Sequence, residues 1–138
     1  MTIYLLDTNV LSEVRSARPD PKVVSWLAAL DAASIRISVL TLGEIEKGIT
    51  ALRRRGNEAK ANTLQQWFDS LPADYRRRAV PVDEAVALCW GRLAGTHHAL
   101  PPIDGLLAAT ALVNGYTLVT RNVRDVAVTG VSTFNPWS

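Results

Sequence analysis

The amino-acid sequence predicts an α/β fold with a central, mainly parallel five-stranded sheet flanked by helices. Two observations carry that prediction. Several short runs, Ile3 to Leu6 among them, are continuously apolar or β-branched rather than alternating, which is how strands buried on both faces read. Between the runs lie segments with apolar residues spaced three and four apart, so strands and helices alternate as they do in βαβ units. A length of 138 residues with 48% hydrophobic content suits one domain spanning 1–138 with a substantial core.

The first strand is expected over Ile3 to Leu6, and Asp7 ends it before a short first helix that carries Glu13, read as a surface acid. Pro21 suits a first-turn position and introduces Val23 to Leu30, a helix with most of its apolar bulk on one side. The second strand covers Ile35 to Val39. Thr41 then stands three residues before Glu44, the spacing of a capping box, and the helix it opens runs to about Arg55, where Gly56 stops it. A further helix spans Glu58 to Leu71, with Leu64, Trp67, Phe68 and Leu71 on one face and Pro72 closing it.

Ala79 to Val82 reads as the third strand. Asp83 suits an N-cap for a helix that turns Ala85, Leu88, Cys89 and Leu93 toward the core. Another helix begins near Pro102 or Asp104 and ends at Asn114-Gly115, a common terminator. Thr117 to Val119 and Val131 to Phe134 complete the sheet. No internal repeat or low-complexity segment interrupts this order.

Composition narrows the function. No apolar stretch approaches the roughly 20 residues that cross a bilayer, and the N-terminus lacks a signal-peptide pattern, so a soluble cytoplasmic protein with no membrane partner is expected. Cys89 is the single cysteine and reads as a buried core thiol. A net charge of +2 permits a nucleic-acid partner without demanding one. The runs Arg53-Arg54-Arg55 and Arg76-Arg77-Arg78 read as solvated helix ends. Adjacent His97 and His98 point in different directions and share no spacing with a third zinc ligand. Trp26, Trp67, Trp90 and Trp137 read as core or subunit-interface packing rather than as base-stacking platforms. Neither a phosphate-binding glycine loop nor a nucleophile elbow is present.

What remains is a set of acids at equivalent junctions. Ligands of open α/β sheets gather outside the C-terminal ends of the strands. Asp7 ends the first strand, Glu44 lies just beyond the second, and Asp104 opens a crossover helix whose N-terminus returns to the same rim. Each acid alone reads as a turn or cap residue. Together they repel: two unit charges roughly 5 Å apart cost about 3 kcal/mol at an effective dielectric of about 20. A hard divalent cation such as Mg²⁺, or Mn²⁺ in its place, answers that repulsion and can activate water for attack on a phosphodiester. Glu46 lies two residues from Glu44 and belongs to another face.

Tyr4-Leu5-Leu6-Asp7-Thr8-Asn9-Val10-Leu11, Ser38-Val39-Leu40-Thr41-Leu42-Gly43-Glu44-Ile45 and Asp104-Gly105-Leu106-Leu107-Ala108-Ala109-Thr110-Ala111 occur in that order. Leu118-Val119-Thr120-Arg121-Asn122 and Phe134-Asn135-Pro136-Trp137 follow near the end. In these blocks the chain resembles the PIN-domain ribonucleases, and among them the VapC-type, FitB-like toxins of toxin-antitoxin pairs. The resemblance implies a metal-dependent endoribonuclease in which Asp7 and Asp104 bind Mg²⁺ and Glu44 completes the acidic cluster. Thr8 or Asn9, with Thr120, would hold the carboxylates by hydrogen bonds. The fourth acidic position falls on Asn122, which brings no charge, or on Asp125. Arg121 and Arg124 are candidate contacts for RNA phosphate. The resemblance also implies a homodimer, a cognate antitoxin whose tail occupies the active-site groove, and a higher assembly of the two.

Two other classes compete. Aspartate-nucleophile phosphatases also place an Asp after the first strand, but want a second acid where Asn9 stands and a Lys near the later acids. A catalytically degenerate PIN-like module that only dimerises or binds a partner would have no need to retain Asp7, Glu44 and Asp104 together.

Overall fold

The computed structural model describes residues 1–138. Its elements are β1 (Tyr4–Leu6), α1 (Thr8–Arg15), α2 (Pro21–Ala28), β2 (Ile35–Ile37), α3 (Val39–Arg54), α4 (Glu58–Asp69) and α5 (Ala73–Arg77). They continue with α6 (Glu84–Thr96), α7 (Pro102–Asn114), β3 (Thr117–Val119), α8 (Val123–Val126) and β4 (Thr133–Phe134). The four strands form one parallel sheet in the order β2-β1-β3-β4. Tyr4, Leu5 and Leu6 pair with Ile35 to Ile37 on one side and Thr117 to Val119 on the other.

Because successive strand residues face opposite sides, the central strands feed two cores. Leu6, Val119, Ile35 and Ile37 turn toward Val10, Val23, Ile45, Ile49 and Phe68, contributed by α1 to α4. Leu5 and Leu118 turn the other way, onto Leu107, Ala108 and Ala111 of α7 and Val126 of α8. Helices therefore cover both faces, as the unbroken apolar character of β1 requires.

Several boundaries differ from expectation. The predicted strand Ala79 to Val82 is a single parallel bridge between Val80 and Ser38, giving four strands rather than five. Pro81 supplies no N–H, so the ladder stops after Val80. Ser38, not Thr41, caps α3: its Oγ accepts from Leu40 N at 3.0 Å. Thr41 lies inside the first turn, fully buried, with no partner for its hydroxyl. The Asp83 cap is as expected, its carboxylate accepting from Val86 N at 3.0 Å. The buried face of α6, however, is built on Val86, while Ala85 is exposed and Leu88 is 55% exposed. Helix α6 packs chiefly on α7, so the face turned to α7 is the one covered. Cys89 is accordingly half-buried rather than a core thiol. Gly115 ends α7 in the left-handed conformation (φ 72°), which a side chain would strain.

The arginine runs behave as helix-end surface. Arg53 pairs with Glu58, and Arg77 and Arg78 with Asp74, at exposed or partly exposed positions. No helix is long and apolar enough to cross a membrane.

Candidate functional site

The strand order changes direction between β1 and β3, since the chain passes from β1 to β2 on one side and later returns to β3 on the other. Crevices of open sheets form at such a point, beyond the C-terminal ends of the strands. Asp7 follows β1 and Thr120 follows β3, and they meet there: the Thr120 hydroxyl donates to Asp7 Oδ2 at 2.6 Å, across 113 residues of sequence. Asp7 is also the N-cap of α1, its Oδ1 accepting from Val10 N at 3.2 Å. Thr120 is fixed in turn, because its oxygen accepts from Asn122 N at 3.0 Å. Both side chains are almost closed to solvent, at 5% and 2% exposure.

Helix α3 buries Thr41, Ile45 and Ile49 at spacings of four, which sets Glu44 on the flank of that stripe, facing the crevice. The Thr8 hydroxyl donates to Glu44 Oε1 at 2.5 Å and ties α3 to α1. Helix α7 approaches the sheet through Leu107, Ala108 and Ala111; the two alanines let its backbone come close. Asp104 lies one turn before Leu107 and Ala108 on that face, so the same packing carries it to the rim. Gly105 next to it is buried, and a Cβ there would meet Leu100 Cδ2 at 2.9 Å and Trp90 Cδ1 at 3.3 Å. The close fit of α7 against Trp90 of α6 and Leu100 of the connection thus sets where Asp104 stands.

These residues enclose a cavity of about 80 Å³ lined by Asp7, Thr8, Asn9, Glu44, Asp104, Ile103 and Leu107. Its charge is felt in the acids themselves. Burial, as the largest cause, raises the Asp7 pKa above the ordinary carboxylate range, and the Asp104 charge adds to it; the Thr120 hydroxyl and the Val10 and Asn9 amides pull the other way. Asp104 is raised by burial and then by the charges of Asp125 and Glu44. Asp125 therefore lies near enough to act on the cluster, whereas the Asn122 side chain makes no capping bond and its contribution is the N–H to Thr120. Of the expected supports, Thr8 holds Glu44 and Thr120 holds Asp7; the exposed Asn9 side chain lines the cavity. Glu46 is exposed on another face.

No three carboxylate, imidazole or thiolate groups stand close enough to close a shell around a metal ion. The donor set is instead made of separate carboxylate oxygens that repel one another in a small polar cavity. That fits a hard cation which keeps several of its waters and takes few protein ligands, as Mg²⁺ does. It does not fit zinc.

Two flanking cavities extend the crevice. One, lined by His97, His98, Arg124 and Asp125 among others, adjoins the acids through Asp125. The other contains Asn9, Glu13, Arg121 and Trp137. Glu13 is not the free surface acid expected: it is half-buried, and its Oε1 accepts from Trp137 Nε1 at 2.9 Å. That bond spans 124 residues, and no local pattern in the sequence signals it. Trp26 does pack as expected, edge-on to Tyr4 and against Phe134.

Residues 4–129 match the PIN domain, a stretch that includes all four acids. This chain belongs to the PIN-domain family. Among PIN-domain proteins it is 34% identical to Toxin FitB of Neisseria gonorrhoeae, over 98% of this chain and 99% of the relative. It is 30% identical to the VapC ribonuclease Y4jK of Sinorhizobium fredii, over 98% of each chain. The crystal structure of FitAcB from Neisseria gonorrhoeae superposes with a TM-score of 0.86 at 33% identity, covering 98% of this chain and 99% of that one. The chain is thus a PIN-domain protein of the VapC and FitB-like toxin group.

Proposed function

We propose that this PIN-domain protein is a Mg²⁺-dependent endoribonuclease, with Mn²⁺ as a possible substitute, and the toxin of a toxin-antitoxin pair. The observation that carries the reading is the convergence of Asp7, Glu44 and Asp104, from three distant parts of the chain, on one cavity at the sheet's switch point. Similarity to a toxin and to a VapC ribonuclease over nearly the whole chain supports the reaction and the role. In this reading Asp7 and Asp104 hold the cation. When bound, it neutralises the carboxylates and polarises water for in-line attack on a phosphodiester.

The remaining work falls to the chain. Thr120 and the α1 amides orient Asp7 and oppose the upward pKa shift that its burial imposes. Thr8 holds Glu44 so that its second oxygen can accept a proton from the attacking water. Asp125 fills the fourth acidic position, its charge felt at Asp104. Arg121 and Arg124, exposed on either side, contact RNA phosphates. A cognate antitoxin that places a cation in the crevice would relieve the same repulsion and shut the site; two copies of this chain would present two such sites.

The test is cleavage of total cellular RNA by antitoxin-free protein with Mg²⁺, with EDTA, and with Asp7→Asn replacing the parent. Discrete fragments that vanish with EDTA and in the variant are expected. Intact RNA under every condition, from folded protein, would overturn the reading.

A further inference from the structure

We propose that the cavity between α1 and the C-terminal Trp137 holds the base of a nucleotide flanking the scissile phosphate. The inference rests on the ribonuclease reading and deepens it. The cavity, of about 350 Å³, is lined by Asn9, Ser12, Glu13, Ser16, Arg121 and Trp137. Asn9 also lines the acidic cavity, so the two spaces share a wall. For a chain whose phosphate sits at the acids, the second cavity is thus the neighbouring space beyond Asn9.

The lining favours a base over a second phosphate. Arg121 and Glu13 are its charged groups, one of each sign, and the Glu13 carboxylate opposes an anion there. The other polar groups, two hydroxyls and an amide, both donate and accept, as the edge of a neutral heterocycle requires. The exposed Arg121 guanidinium lies over the Trp137 ring, 5.1 Å from its centroid, so guanidinium and indole form one stack that a base can extend. Those are the two surfaces on which unpaired bases stack.

The platform is also held by a chain of hydrogen bonds. Trp137 Nε1 donates to Glu13 Oε1 at 2.9 Å, while Glu13 Oε2 accepts from Asp20 N at 3.2 Å. Trp137 N donates to Asn135 Oδ1 at 2.9 Å, and Pro136 before it is buried. Part of the Trp137 side chain packs against the core that β1 shares with α1 to α4, and the part left exposed lies at the mouth of the polar cavity. That exposed part pre-forms a surface for a ligand.

The experiment is an abasic scan. Short single-stranded RNAs containing one mapped cleavage site, with each nucleotide near that site made abasic in turn, are given to the parent, to Trp137→Ala, and to Ser12→Ala/Ser16→Ala. Cleavage is followed in the parent background, and binding is followed by anisotropy in an Asp7→Asn background with the same substitutions. One position beside the cut should be sensitive, losing about 5- to 150-fold in affinity, the effect of one stacked base. In Trp137→Ala the intact RNA should lose a similar factor and the abasic RNA should lose no more. The serine pair, which leaves the platform in place, should change which base is preferred there. An abasic penalty equal in the parent and in Trp137→Ala, or no sensitive position at all, overturns the subsite even if cleavage proceeds. If the parent cleaves no RNA, the nuclease reading falls, and the same abasic scan by anisotropy on a short single-stranded RNA that the protein binds decides the subsite, which a Trp137-dependent penalty keeps and its absence overturns.

Discussion

Thr120→Val replaces one hydroxyl by a methyl at a position 2% exposed, keeping the side chain's shape while removing the donor to Asp7 Oδ2. A hydrogen bond to a charged group contributes about 1.5–3 kcal/mol. At roughly 3 °C per kcal/mol for a chain of this size, the melting temperature should fall by about 5–10 °C at neutral pH. The loss should depend on pH. Asp7 already sits above the ordinary carboxylate range because of burial, with Thr120 opposing that shift, so the variant's Asp7 moves higher still. Its charged form is then less stable, whereas its protonated form loses less. The deficit is therefore fully present above the variant's folded pKa and shrinks as pH falls through the parent's, which burial holds above the ordinary carboxylate value. The acid limb of the RNA-cleavage profile should move to higher pH in step. Urea melts of parent and variant across that range measure the first effect, and pH-rate profiles the second. A destabilisation that is the same at both ends of the range would show that Thr120 matters for packing and not for the charge on Asp7.

Asp104→Asn should abolish cleavage and stabilise the metal-free protein. The folded Asp104 pKa is raised by burial and by Asp125 and Glu44, so its ionised form is a burden above the ordinary carboxylate pKa. Urea melts should show a gain of about 1 kcal/mol at neutral pH, discounted for partial exposure, which vanishes below about pH 4; a loss at neutral pH would contradict the charge argument. Mg²⁺ should raise the melting temperature of the parent more than that of the variant. Gly105→Ala, with a Cβ 2.9 Å from Leu100, should cost about 1 kcal/mol net, because about 1–3 of overpacking outweighs about 1 of helix propensity. Its cleavage rate should fall further than its stability explains, since Asp104 is displaced; unchanged kinetics would show that α6 yields instead. If antitoxin and Mg²⁺ answer one electrostatic need, the inhibition constant measured in an RNA-cleavage titration should rise with Mg²⁺ concentration. A constant that is flat over a wide range would separate the two.

The acids were legible because each sits at a junction between apolar patterns, and the α/β rule brings such junctions to one rim. Asp7, Glu44 and Asp104 needed nothing more. The precise start of α3 was not legible, since Ser38 and Thr41 are both sound caps and only the Ser38–Val80 bridge distinguishes them. Proline decided the reach of the Val80 ladder, a local fact outweighed in the prediction by the β-branched residues around it. The outward turn of Leu88 follows from which helix α6 meets, and a periodic pattern does not name its partner. The pairing of Glu13 with Trp137 is of the same kind, a contact between the two ends of the chain. The choice between Asn122 and Asp125 turns on the placement of α8, too short for any periodicity to announce.

The bond from Thr120 to Asp7 joins residues 113 apart, and Trp137 reaches back still further, to Glu13. A ribosome that has released only the first hundred or so residues has therefore made three of the four acids or fewer, with the strand that steadies the first of them still missing. Under the proposed function, the need to synthesise the chain as far as Thr120 and Trp137 acts as a safety catch. The same arrangement makes the gene easy to disarm. Under the proposed function, stops before Thr120 should survive selection against toxicity, and the last position at which a stop still disarms the chain would mark where folding becomes sufficient for harm.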